Sequence, residues 1–160
     1  MNNITLRKIE ERDISELTKL IYKLSEYEGI AEYCDISEEV YRTMLFREKC
    51  LFSLVAEENE KIVGATTYYF YRISSLGGRR VLYLEDLFLL PTARNKGIGR
   101  KIMAELQQIA KEKQCLKIEW RCLKSNSPAI AFYDKIGARN DQDWLMYSIP
   151  SKNFNKGENQ

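Results

Sequence analysis

The sequence predicts an α/β (α+β) domain with a central mixed, mostly antiparallel sheet and helices on both faces. Three observations lead there. Short segments with strand spacing lie before and after two long helical patterns. The strands of the first half are joined by brief polar turns, which suit antiparallel neighbours. A strand at 81–90 is separated from another at 116–122 by a full helix, the connection a right-handed parallel crossover uses. The chain of 160 residues can hold one domain with a sizeable core, taken as 1–150 with a polar, disordered tail at 151–160.

The elements follow in order. Ile4–Ile9 alternates apolar and polar residues and reads as a strand. Asp13 opens a helix, with Glu16 three residues on as a capping-box partner. Ile14, Leu17, Ile21 and Leu24 form its apolar stripe, and Gly29 ends it. Ser37 caps a second helix that buries Val40, Met44 and Leu45. Strands at Leu51–Glu57 and Ile62–Tyr71 flank a polar hairpin turn, Glu58–Lys61. Ser74–Gly78 is a turn before the long strand Val81–Leu90, which stops at Pro91. The helix from Ile98 carries Ile102, Leu106 and Ile109 on one face and ends in Lys111-Glu112-Lys113. Leu116–Cys122 is a strand. Ser127 caps a helix with Pro128 at its first position, and Gly137 stops it. Asp143–Ile149 is a last strand, and the pattern leaves a strand near Ala138–Asn140 open.

Composition excludes several classes. The chain has no histidine, so Ser-His-Asp triads, Cys-His dyads and H-E-x-x-H zinc sites are impossible. Cys34, Cys50, Cys115 and Cys122 form no C-x-x-C pair, and they read as free thiols in a reducing, cytoplasmic setting with no metal. A net charge of +2 gives no case for a nucleic-acid or membrane partner. No apolar run has the length of a membrane span, and no signal-peptide pattern is expected at the N-terminus.

The segment with the most chemistry is Arg94-Asn95-Lys96-Gly97-Ile98-Gly99-Arg100, between the long strand and its helix. The first N–H groups of a helix lack intrahelical partners and can point at an anion. Glycine lets a pyrophosphate approach the backbone. The P-loop string G-x-x-x-x-G-K-[ST] is absent, and Gly97-x-Gly99 has no third glycine for a dinucleotide fingerprint. An ordinary tight turn remains the rival reading of these six residues alone. Joined to the element order over residues 4–149, the pattern Arg94-x-x-Gly97-x-Gly99 resembles the GNAT N-acetyltransferases. That resemblance implies the GNAT fold, with its parallel strand pair at the acetyl-CoA cleft. It implies that Arg94, Asn95, Lys96, Gly97, Ile98, Gly99 and Arg100 hold the pyrophosphate. It also implies that the strand edge at Leu87, Phe88 and Leu89 pairs with the pantetheine arm.

Two carboxylates, Glu85 and Asp86, interrupt the same strand, and simple alternation puts them on opposite faces. A pair of satisfied structural ions is the rival reading. Tyr83-Leu84-Glu85-Asp86-Leu87-Phe88 resembles the Y-L-E-D-x-F of the spermidine/spermine N-acetyltransferase branch. By that resemblance Glu85 is the base, acting through water, and Asp86 holds a cationic substrate. Tyr27, Glu28 and Trp144 likewise match substrate-contacting positions of that branch. The stretch Asn126 to Ala138 resembles a second GNAT motif, N-x-x-[AS]-x-x-F-Y-x-x-x-G-[AF]. It implies that Asn126 and Ala129 lie along the donor and that Tyr133 is the general acid as well as a donor contact. A phenol of pKa about 10 can return a proton to a leaving thiolate.

Two departures stand against a polycation. Ser74–Arg80 replaces an acidic, tryptophan-bearing loop, and Arg121 falls on the strand beside the pocket. Arginines attract carboxylates. The expected activity is acetyl-CoA-dependent acetylation of a small primary amine, first a polyamine or diamine. A lysine-like amino acid of thialysine type, a protein amine, and a non-catalytic CoA-binding module are the alternatives. A homodimer is expected by the same resemblance.

Overall fold

The computed structural model describes residues 4–154, which fall into two compact units, 4–123 and 124–154. In the first, five strands lie in sequence order: β1 (Ile4–Lys8), β2 (Phe52–Glu58), β3 (Lys61–Ile73), β4 (Arg79–Leu89) and β5 (Ile118–Glu119). β1 to β4 are antiparallel, and β4 pairs with β5 in parallel, as the sequence predicts. The β2–β3 hairpin turns through Asn59 and Glu60 at φ 51° and 64°, the two-residue loop that matches strand twist.

One sheet face is covered by α1 (Ile14–Glu28) and the helical segment that begins with α2 (Glu38–Arg42). Leu17, Leu20, Ile21 and Leu45 bury there with Val55, Ala65 and Phe88 of the sheet. On α3 (Ile98–Glu112) the buried residues are Ile98, Ile102, Met103, Leu106 and Ala110, and the helix lies against β4 and β1. Gly29 ends α1 at φ 72°, as expected.

Three predicted details change in this unit. Asp13 does not cap α1 with its side chain. It accepts from the Glu10 N–H (2.8 Å) and from both terminal nitrogens of Arg7, closing a 3-10 turn ahead of the helix. An arginine fork offers that carboxylate more than one helix N–H could. Ser37 does cap α2, but Val40 is 53% exposed. After Arg42 the backbone widens into a π turn, Thr43–Arg47, which rotates the stripe so that Tyr41, Met44 and Leu45 face inward. β5 is two residues long rather than seven: its ladder with β4 consists of Leu82–Ile118 and Tyr83–Glu119, and ahead of it the Leu116 N–H donates to the Arg80 carbonyl (2.7 Å).

The second unit contains α4 (Ser127–Lys135) and a 3-10 turn at Ser151–Asn153. Asn126, not Ser127, is the cap: its Oδ1 accepts from the Ala129 N–H at 3.3 Å, and Ser127-Pro128 form the first turn. Among the described residues, 138–140 and 143–149 form no strand, and Trp144 and Tyr147 are 81% and 85% exposed. Aromatic and β-branched composition favours a pleated surface only where a partner strand covers it. The predicted tail lies partly in the Ser151–Asn153 turn, and 155–160 lie outside the described residues.

Candidate active site

The site is built on the far half of β4. Leu82 and Tyr83 are its last residues paired with β5, so among the described residues no strand pairs with the edge from Leu84 to Leu89 on that side. The Leu90 N–H donates to the Val63 carbonyl (2.9 Å), which leaves Leu89, opposite Gly64, at a non-hydrogen-bonded position. Leu89 therefore turns its N–H and C=O outward, and Leu87, opposite Thr66, does the same. Phe88, between them, is buried. Gly64 permits this close pairing: a Cβ there would lie 2.3 Å from Leu89 Cδ2 and 2.9 Å from the Phe88 carbonyl.

Beyond the edge, Pro91–Ala93 turns the chain toward α3. Asn95 and Gly97 sit at φ 62° and 78°. The first intrahelical bond of α3 runs from the Lys101 N–H to the Gly97 carbonyl, so the N–H groups of Ile98, Gly99 and Arg100 point out of the helix start. Arg100 is exposed there. Lys96 pairs with Glu58 (2.8 Å). Arg94 Nε donates to the Leu89 carbonyl (3.1 Å), and its guanidinium lies over the rings of Tyr27 and Phe88.

The carboxylates are arranged differently from the alternation rule. Thr67 pairs with Asp86 and Tyr68 with Leu84, so Glu85 is an extra, unpaired residue of β4. Such a bulge puts two successive side chains on one side of the sheet. Glu85 and Asp86 thus share a face with Thr67, Tyr69 and Tyr83. The Thr67 hydroxyl donates to Asp86. Burial pushes the Asp86 carboxyl up to about 6, and the charges of Glu85 and Glu28 add to that; the Thr67 bond opposes it. Burial also raises Glu28 at the end of α1. Burial raises the Tyr41 phenol, and the charges of Asp86 and Glu85 add to that.

Arg121 closes the other side of this face. Its Nε donates to the Tyr83 hydroxyl (2.8 Å), and Tyr83 stacks on Tyr69 with ring centroids 5.0 Å apart. That bond, with the nearby negative charge of Glu85, holds the guanidinium charge more firmly than usual. Arg79 and Arg80 are elsewhere. They lie at the start of β4, six and five residues before Glu85, where with Arg72 and Lys113 they line a separate cleft.

In the second unit, Asn126 caps α4 and Tyr133 lies half-buried, its ring 5.4 Å from that of Phe132. Trp144 is exposed. The first unit therefore brings Tyr27, Glu28, Glu85, Asp86, Leu87–Leu89 and 94–100 together. Sequence reading missed Thr67, Tyr41 and Tyr69; hairpin register could have offered Thr67, and nothing local marks the other two. Among the described residues no acidic or cysteine group could hold a metal, and no helix is long and apolar enough to cross a membrane.

The model of the acetyltransferase (GNAT) family matches residues 14–138. A thialysine N-epsilon-acetyltransferase of Sus scrofa is 34% identical over 88% of this chain and 86% of its own length. The spermidine/spermine N(1)-acetyltransferase-like protein 1 of Homo sapiens is 27% identical over 92% of this chain and 22% of its own length. Among solved structures, a predicted acetyltransferase of Clostridium acetobutylicum with acetyl-CoA is 26% identical, with a TM-score of 0.75 over 91% of this chain and 96% of that one.

Proposed function

We propose that this chain, which belongs to the GNAT acetyltransferase family and is an N-acetyltransferase, moves the acetyl group of acetyl-CoA to the primary amine of a lysine-like amino acid. The observation that carries this is the shared face: Glu85 and Asp86 on β4, with Arg121 bonded to Tyr83 on that same face. A cationic amine fits the carboxylates, and a carboxylate fits the guanidinium. A polyamine would gain from the first and be repelled by the second. The thialysine relatives support the same choice over the polyamine reading.

The donor's chemistry fits the residues present. The outward N–H and C=O of Leu87 and the outward N–H of Leu89 can pair with amides as an added strand does. The N–H groups at 98–100 suit a pyrophosphate. Bound there, acetyl-CoA supplies an activated acetyl group. Glu85, exposed and close to the outward edge, takes the amine proton through water. Asp86 and Glu28 hold the cation, with Tyr27 at the helix end. By the resemblance of its motif, Tyr133 returns a proton to the leaving thiolate, and Asn126 and Ala129 follow the donor. A role for Trp144 against the acceptor, a homodimer, a cytoplasmic setting, and residues 1–150 working as one domain complete the reading by resemblance.

Thiol release over polyamines, diamines, lysine analogues and short peptides tests it. Thialysine should exceed its decarboxylated counterpart at least tenfold in kcat/KM, a bidentate charge pair's share. Arg121→Gln should erase that difference. Spermidine as the best acceptor, unaffected by Arg121→Gln, would overturn the assignment.

A further inference from the structure

The motif arginine at the phosphate turn does not face the turn. Arg94 folds back across the end of β4, and three contacts fix it there. Its Nε donates to the outward carbonyl of Leu89 (3.1 Å), and its guanidinium carbon lies 5.4 Å from the Tyr27 ring centroid and 5.7 Å from that of Phe88. Tyr27 belongs to the last turn of α1, next to Glu28, and Leu89 belongs to the donor edge. One side chain therefore joins the two halves of the site.

We propose that Arg94 is a positioning residue for the acceptor, holding Tyr27 and Glu28 at the site, rather than a phosphate ligand. The proposal rests on the acetyltransferase reading above. Three features support it. A guanidinium over two rings and a carbonyl uses its faces and an edge together, which a flexible ammonium does less well. The turn already offers backbone N–H groups to a pyrophosphate without Arg94. The Leu89 carbonyl is also taken, so amide pairing along the edge ends at the Leu89 N–H, where the donor must turn toward the glycines. Arg94 thereby marks the end of the pantetheine track while it steadies the helix end that meets the amine.

The test separates donor from acceptor. Arg94→Ala should raise the amine KM about tenfold, the combined size of two exposed cation–π contacts. kcat and the Kd for CoA, measured by calorimetry, should stay within about twofold. Arg94→Lys should recover part of the amine KM, since it keeps a cation over the rings and loses the Nε donor. Tyr27→Ala should raise the amine KM as well, and adding Arg94→Ala to it should change little more. A weakened CoA Kd with an unchanged amine KM makes Arg94 a phosphate ligand and overturns the proposal. So does full additivity with Tyr27→Ala. Titration of amine into CoA-loaded protein reads Arg94 independently of turnover. A wild type that binds amine but releases no thiol therefore defeats the catalytic reading and leaves this one standing or falling by the titration.

Discussion

Replacing Asp86 with asparagine removes a negative charge from a place that already holds Glu85 and Glu28. The carboxyl sits at about 6 in the fold against 3.8 in a model peptide, chiefly because burial disfavours its charged form. A raised pKa means that the folded state holds the proton more tightly than the unfolded state does. The contribution is fully present below about pH 4 and is lost as pH rises to about 6, after which the charged carboxylate costs stability. The shift is about two units, and at 1.36 kcal/mol per unit this corresponds to at most about 3 kcal/mol. Relaxation of the partly exposed neighbours reduces it, and about 1–2 kcal/mol is the expected gain for Asp86→Asn at pH 8. Asparagine keeps the shape and still accepts from Thr67. Urea unfolding of both proteins from pH 4 to pH 8 checks this. Asp13 titrates the other way, because its bond to Arg7 lowers its pKa and its contribution is lost in acid. Subtracting the two curves cancels that term. The difference should grow from near zero at pH 4 to a plateau above pH 6. An Asp86→Asn protein that is less stable at pH 8, or that shows the wild-type slope, would refute a buried, repelled carboxylate. The same variant should lose acceptor affinity, because stability and binding draw on the charge in opposite directions.

Two further substitutions probe the chemistry and the edge. Tyr133→Phe should lose most turnover and keep CoA binding within about twofold by calorimetry; unchanged turnover would remove Tyr133 from proton donation. Gly64→Ala should cost about 1–3 kcal/mol in thermal unfolding, the range for overpacking, since the new methyl meets the Phe88 carbonyl and Leu89. It should also weaken CoA binding by displacing the outward groups of Leu89, whereas a normal CoA Kd would show that the edge is not the donor track.

The turn proposed to hold the donor was legible in the sequence as backbone geometry because its signals are punctuation. Gly97, Gly99 and Pro91 announce backbone geometry directly, and the β4–α3–β5 order names the crossover. The acceptor half was only half legible. Glu85 and Asp86 stood out as carboxylates in an apolar strand, but their direction depended on β3 as well as β4. Alternation assumes one residue opposite one residue, and the unpaired Glu85 breaks that assumption. Val40 went wrong for a related reason, since a π turn changes the period that places a side chain. Asp143–Ile149 went wrong because a strand is a property of a pair of edges, and composition reports only one of them.

The bulge joins these observations into one argument about specificity. Without the extra residue, Glu85 would point away from Asp86, and the proposed base would be separated from the proposed amine site. With it, both carboxylates share one face, and Arg121, two residues past β5, bonds to Tyr83 on that face. Raising negative charge to this density on one face has a consequence for the site itself: Asp86 resists ionising until an amine arrives. A cationic acceptor supplies the missing positive charge and draws Asp86 into its ionised form, with release of a proton. Acceptor binding should therefore be coupled to proton release near pH 6, and Asp86→Asn should abolish that coupling.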